Sequence, residues 1–280
     1  MKLLRYGPAG EEKPGVLDAA GRMRDLSGVI PDLTPDAISD SGLSRLRAIA
    51  PESLPLVEGT PRIGVPVAGI RQLLAIGLNY RQHAIEAGMA IPDEPVVFFK
   101  AITSLCGPND AVVLPFDSAA TDWEIELAIV MGRTARNVSE TQALDYVAGY
   151  TIANDVSERE WQLNRNGQWS KGKSFDTFCP LGPWLVTRDE IADPQALALE
   201  LTVNGEARQR SSTADMIFSV PNMVSYCSRF MTLLPGDVII TGTPQGVGWA
   251  MKPRRMLKAG DTMRLTIDKL GAQEQLVTVG

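Results

Sequence analysis

Asp122-Trp123-Glu124-Ile125-Glu126-Leu127-Ala128-Ile129-Val130-Met131 is the stretch from which the fold of this chain is read. Leu127 to Met131 is an uninterrupted apolar run, which implies a strand buried on both faces. Side chains alternate along a strand, so Glu124 and Glu126 share a face, about 7 Å apart along the chain at roughly 3.3 Å per residue. Two carboxylates on one face can grip a hard divalent cation through oxygen. The plainer reading is the solvated face of an amphipathic strand. The apolar run weakens it, because carboxylates entering a buried strand are costly unless paired or metal-bound.

Outward from this strand, apolar segments of strand length dominate: Leu73–Ile76, Val96–Phe99, Ala111–Leu114, Gly149–Asn154, Trp184–Thr187, Ala198–Val203, Val238–Thr241, Thr262–Ile267 and Glu274–Val279. Asn204-Gly205 after Ala198–Val203 signals a hairpin. Helices are fewer. Ser139 to Val147 opens with a Ser-x-x-Gln capping pattern, and another helix is expected around Val220–Met231. The fold class is therefore α+β with a β-rich core. Residues 1–70 read as a small N-terminal unit and linker. They hold strand pieces at Met1–Tyr6, Gly15–Asp18 and Met23–Leu26, a short helix Ser41–Ile49 capped by Ser41, and punctuation at Pro51, Pro55, Pro61 and Pro66. Residues 71–280 form the main domain.

Three further constellations can carry chemistry. Gly149 to Asn154 is an apolar strand that ends at Asp155, a turn residue on the bland reading and a third hard oxygen donor on the functional one. Three carboxylates would overcharge such a site unless a dication is present. His83 is the only histidine in the chain. On a helix it neighbours Glu86, three residues on, and a carboxylate beside imidazole makes a general base able to activate water. A surface His–Glu contact is the plain alternative, while Gly77 and Gly88 around the pair suit a mobile lid. Lys173 lies between Gly172 and an aromatic segment. It is either a surface lysine or a cleft group able to stabilise an oxyanion. The Gly-rich Thr241–Gly248 segment is a tight turn or a backbone cradle for a carboxylate or phosphate.

Composition excludes several classes. The net charge of -6 over 280 residues disfavours nucleic acid. Cys106, Cys179 and Cys227 are odd in number and show no CxxC spacing, so neither a zinc site nor a disulfide framework is indicated, and a cytoplasmic location is expected. The N-terminus reaches charged residues too soon for a signal peptide, and no apolar run of about 18 residues suggests a membrane span.

GLNYxxHxxE (77–86), DWExE (122–126), GYTxANDxSxR (149–159), GKSFDTFxPLGP (172–183) and TGTPxGVG (241–248) occur in that order. With these motifs the chain resembles the fumarylacetoacetate hydrolase family from about residue 70 to 280. The resemblance implies a twisted β-roll core, assembled as a homodimer or homotetramer. It implies Mg2+ or Mn2+ on Glu124, Glu126 and Asp155. His83 and Glu86 would be the water-activating dyad on a lid, with Lys173 and Gln162 beside the oxyanion. Arg159 and Thr243 would hold the substrate, and Lys100 would lie near the pocket.

The reaction implied is hydrolysis of the C3–C4 bond of a small diketo acid. The segments MKLLRYGPAG, GQWSKGKSFDTF and MTLLPGDVIITGTPQGVG are similar to those of bacterial members acting on 2,4-diketo-3-deoxy-L-rhamnonate or L-fuconate, some labelled ureidoglycolate lyase. That implies pyruvate and lactate as products, in sugar-acid catabolism. Oxaloacetate decarboxylation, keto-enol isomerisation in aromatic degradation, and a non-catalytic metal- or ligand-binding protein of the same fold are the rival classes.

Overall fold

The structure, a computed structural model, describes all 280 residues. Strand Ile125–Met131 and its antiparallel neighbour Val147–Asn154 are buried at every position. They lie inside a ten-stranded sheet whose order is Met23–Asp25, Lys13–Leu17, Lys2–Tyr6, Cys179–Thr187, Val147–Asn154, Ile125–Met131, Val238–Ile240, Leu73–Gly77 and Val96–Phe99, with Leu105–Cys106 paired to Cys179–Thr187 off that path. A five-stranded sheet runs Glu206–Ser212, Ala198–Val203, Thr262–Ile267, Gly271–Val279 and Val112–Leu114.

Alternation along the two central strands explains the layering. Ile125, Leu127 and Ile129 join one apolar cluster with Leu201, Leu265 and Val277 of the five-stranded sheet. Ala128, Val130 and Ala153 join a second cluster on the other face. Glu126 has the parity of Ala128 and Val130, and Asp155 that of Ala153, so both belong to the second face, which is lined by small residues. The register places Ala153 opposite Glu126. It continues one step past the strand end, where the Asp155 N–H donates to the Glu124 carbonyl at 2.9 Å.

The segment before residue 70 is not set off by a break in the sheet. Lys2–Tyr6 pairs antiparallel with Cys179–Thr187. Leu3, Val16, Leu43 and Leu46 are buried in the same cluster as Ala128, Val130 and Leu185. The N-terminal strands thus extend the same sheet, and the helix Asp40–Arg47 packs into the cluster on the face to which Glu126 and Asp155 belong.

Several boundaries differ from expectation for local reasons. Strand Cys179–Thr187 begins well before Trp184. Pro180, Gly182 and Pro183 read as breakers, but Gly182 borders and Pro183 falls within a register shift opposite Tyr150–Ile152, the kind of irregularity that tolerates them, while Pro180 pairs beside the short parallel strand Leu105–Cys106. The first helix is capped by Ser39, whose Oγ accepts from Gly42 N–H, leaving Ser41 inside the first turn. The expected capping box at Ser139 does not form. The Ser139 hydroxyl donates to the Gln142 side-chain oxygen, and a single turn, Glu140–Ala143, passes through a 3-10 turn into the next strand. The hairpin at Asn204-Gly205 has the two positive φ angles, 53° and 77°, of a type I′ turn. No helix is long and apolar enough to cross a membrane.

Shared burial makes a thermodynamic expectation. Leu3→Ala removes a fully buried side chain and is expected to cost about 2–5 kcal/mol. The melting transition should move down as one cooperative unit in calorimetry. A separate early transition, with the main one unmoved, would contradict a common core.

Candidate active site

The end of the central strand pair collects acids on one face. One carboxylate oxygen from each of Glu124, Glu126 and Asp155 lies within 4.8 Å of the others, and all three residues are buried. The carboxylates expected from strand alternation therefore do converge.

Their electrostatics differ from the sequence expectation of an overcharged site. Lys173 Nζ donates to Glu124 Oε2 at 2.7 Å and to Asp155 Oδ2 at 2.6 Å. Lys100 Nζ donates to Asp155 Oδ1 at 2.5 Å. Arg159 Nη2 reaches Glu124 Oε1 at 2.7 Å and, with Nε, holds Asp122 Oδ2 at 2.8 and 2.9 Å. Three buried cations already offset most of the acidic charge. Glu126 alone has no cationic partner; its carboxylate accepts the Gly242 N–H at 2.7 Å.

The acids accordingly split. Burial raises the Glu124 carboxyl, but the Lys173 and Arg159 charges overcome it and hold it down at about 2. Burial pushes Glu126 well above the usual carboxylate range, and the Asp155 and Glu124 charges push it further. Burial lowers Lys173, yet Asp155 and Glu124 more than reverse this, so it stays protonated. A hard-oxygen donor set in which one buried carboxylate lacks a counter-charge fits a divalent cation such as Mg2+ or Mn2+.

The expected contact between His83 and Glu86 forms. Helix Arg81–Glu86 places His83 Nδ1 3.0 Å from Glu86 Oε1. A carboxylate there fixes Nδ1 as the donor and leaves Nε2 with its lone pair. Both Glu86 oxygens also accept the Gly246 N–H at 3.0 Å. Gly246 has φ +100°, and a Cβ on it would fall 2.0 Å from the Arg208 carbonyl, so only glycine fits this contact. The Gly-rich loop is thus a cradle for the chain's own carboxylates: Gly242 N–H serves Glu126, Gly246 serves Glu86, and Gly248 donates to Asp122 at 2.7 Å.

One cavity is lined by His83, Glu124, Glu126, Asp155, Arg159, Gln162, Lys173 and Thr243. Gln162 Oε1 accepts from Arg159 Nη1 at 2.9 Å, which leaves its NH2 group uncommitted. The Thr243 hydroxyl is engaged, donating to Ile125 O at 2.9 Å and accepting from Gln209 at 2.8 Å. Lys100 is buried against Asp155 and is not on the cavity wall.

Two contributors escaped the sequence reading. Asp122 accepts from Arg159 and from the Gly248 and Trp249 N–H groups. Its signal was available: it precedes Glu124 by two residues, in the same alternating register. Gln209 is fully buried, accepts from Ile125 N–H at 2.9 Å and holds Thr243. It sits in a polar hairpin strand with nothing in the local pattern to single it out.

Residues 72–278 match the family model described as Fumarylacetoacetate (FAA) hydrolase C-terminal. A protein of Burkholderia ambifaria, named only as a candidate hydrolase, is 61% identical over 276 residues, 98% of each chain. Maleylpyruvate hydrolase from Sphingobium sp. SYK-6, solved with manganese(II) and pyruvate, superposes with a TM-score of 0.83 at 30% identity over 100% of both chains. The 5-carboxymethyl-2-hydroxymuconate delta-isomerase of Mycobacterium smegmatis gives 0.77 at 35% identity over 100% of this chain and 99% of that one.

The raised Glu126 carboxyl sets a pH dependence. Below its pKa the group is protonated, and a cation must displace that proton. Mn2+ affinity measured by calorimetry is expected to rise with pH, on the order of tenfold per unit, until Glu126 ionises in the free protein. Affinity that does not rise with pH above the ordinary carboxylate range would contradict this.

Proposed function

The chain belongs to the fumarylacetoacetate hydrolase family, and from that premise we propose that it hydrolyses the C3–C4 bond of a 2,4-diketo acid, releasing pyruvate and the acid of the acyl tail. The observation that carries this reading is the His83–Glu86 pair on the wall of the same cavity as the three carboxylates. Binding alone would need no such base.

Glu124, Glu126 and Asp155 would hold Mg2+ or Mn2+, which when bound supplies Lewis-acid polarisation of the substrate's keto and carboxylate oxygens. The chain's own residues do the rest. Glu86, anchored by Gly246 N–H, fixes the His83 tautomer, so Nε2 takes a proton from water as it attacks the C4 carbonyl. Two of the three Lys173 donors are spent on Glu124 and Asp155. The third, with the Gln162 NH2 group, is free to stabilise the oxyanion at C4. As the C3–C4 bond breaks, its electron pair goes to C3, which receives the proton that His83 took. The net change is hydroxide to C4 and a proton to C3. Arg159 and Lys100, committed to carboxylates, keep Glu124, Asp122 and Asp155 in place.

A second reading, keto-enol isomerisation, draws on the likeness to the Mycobacterium smegmatis isomerase. It needs proton transfer between the enol oxygen and a carbon, and no attacking water. The finer substrate suggested by sequence likeness, 2,4-diketo-3-deoxy-L-rhamnonate or L-fuconate giving pyruvate and lactate, is a specific case of the hydrolytic reading.

Acetylpyruvate with MgCl2 or MnCl2, followed by coupled pyruvate detection, tests the reaction. Wild-type protein should release pyruvate and acetate, and chelator should stop it. His83→Ala should lose at least about 10²-fold in kcat while melting near wild type. Pyruvate released at wild-type rate by the variant would overturn the mechanism. Enol conversion without pyruvate would favour the isomerase.

A further inference from the structure

Beyond its polar floor, the cavity has a wall of one chemical kind. Every polar side chain on it belongs to the carboxylate–cation cluster, the dyad, Gln162 or Thr243. The rest is apolar or glycine but for two indole N–H groups, and includes Leu78, Met89, Phe98, Leu163, Trp169 and Trp249.

Two indoles in this wall are held by specific contacts. The Trp169 ring packs edge-on to Phe98 at 5.5 Å between centroids. It lies so close to Gly77 that a Cβ there would fall 2.2 Å from its Cζ3. Any residue other than glycine at 77 would displace the ring. Phe98 in turn lies 5.5 Å beneath the Lys173 ammonium, next to the oxyanion donor. Trp249 is fixed by its backbone N–H on Asp122 at 2.9 Å and by the Arg254 guanidinium 3.5 Å from the ring centroid. Leu163 follows Gln162 on the helix Arg159–Leu163. The apolar wall and the catalytic groups are therefore borne on the same short elements.

The geometry points to a tail subsite for an apolar acyl group, aryl or branched alkyl, with Trp169 and Trp249 as its specificity-determining residues. This rests on the acylpyruvate reading above. A hydroxyl-bearing tail entering this wall gives up hydrogen bonds to water and finds there, apart from the catalytic groups, only the two indole N–H donors and no side-chain acceptor. An aromatic tail buries its faces against two rings and loses nothing polar.

The experiment compares benzoylpyruvate, acetylpyruvate and 2,4-diketo-3-deoxy-L-rhamnonate by kcat/KM with the intact protein and Mn2+. Benzoylpyruvate is expected to exceed each of the others by about tenfold or more, mainly through KM. Trp169→Ala should lower the benzoylpyruvate-to-acetylpyruvate ratio by at least about tenfold. Leu163→Gln, a milder change near the wall's edge, should lower it in the same direction. A higher kcat/KM for the hydroxylated substrate, or ratios unmoved in both variants, would overturn the subsite. Should no substrate yield pyruvate, the hydrolytic reading fails. The subsite is then judged by calorimetry with 4-phenyl-2-oxobutanoate against pyruvate. Tighter binding of the phenyl acid supports it, and equal binding sinks it.

Discussion

The structure depends on bringing three carboxylates together where water is scarce. Like charges at such separations, deprived of solvent, repel strongly unless opposite charge is built in beside them. The chain meets this constraint by supplying Lys100, Lys173 and Arg159, each buried and each bonded to an acid. It meets it incompletely, because Glu126 has only a backbone N–H. That remaining imbalance separates the cluster from a purely structural ion-pair network and gives a divalent cation its place.

The same constraint explains the layout around the site. The face bearing Glu126 and Asp155 continues into Ala128, Val130 and Ala153, small residues against which the N-terminal segment packs. The Gly-rich loop after strand Val238–Ile240 reaches three separate acids with three N–H groups. It thereby joins the carboxylate cluster, the His83–Glu86 pair and the Asp122–Arg159 pair into one hydrogen-bonded assembly. A shift in that loop would disturb all three together.

Much of this was legible in the sequence because it rested on period and spacing. The parity of Glu124 and Glu126, the apolar run behind them and the i,i+3 relation of His83 and Glu86 are local patterns, and the structure retains all three. The extended start of strand Cys179–Thr187 was hidden by Pro180 and Pro183, the second of which is tolerated by a register shift against a distant strand. The charge balance was hidden for a similar reason. Lys100 and Lys173 are 55 and 18 residues from Asp155, and only the fold brings them to it. Gln209 was invisible because its role, holding Thr243 and the Ile125 amide, arises solely from tertiary contact.

The central claim is that Glu124, Glu126 and Asp155 form a single cation site. Anomalous diffraction at the manganese edge from crystals soaked in MnCl2 addresses it without reference to activity. The account requires one strong peak per chain, about 2 Å from an oxygen of each of the three carboxylates. A peak bound elsewhere, or none while Lys173 still bridges Glu124 and Asp155, would contradict it.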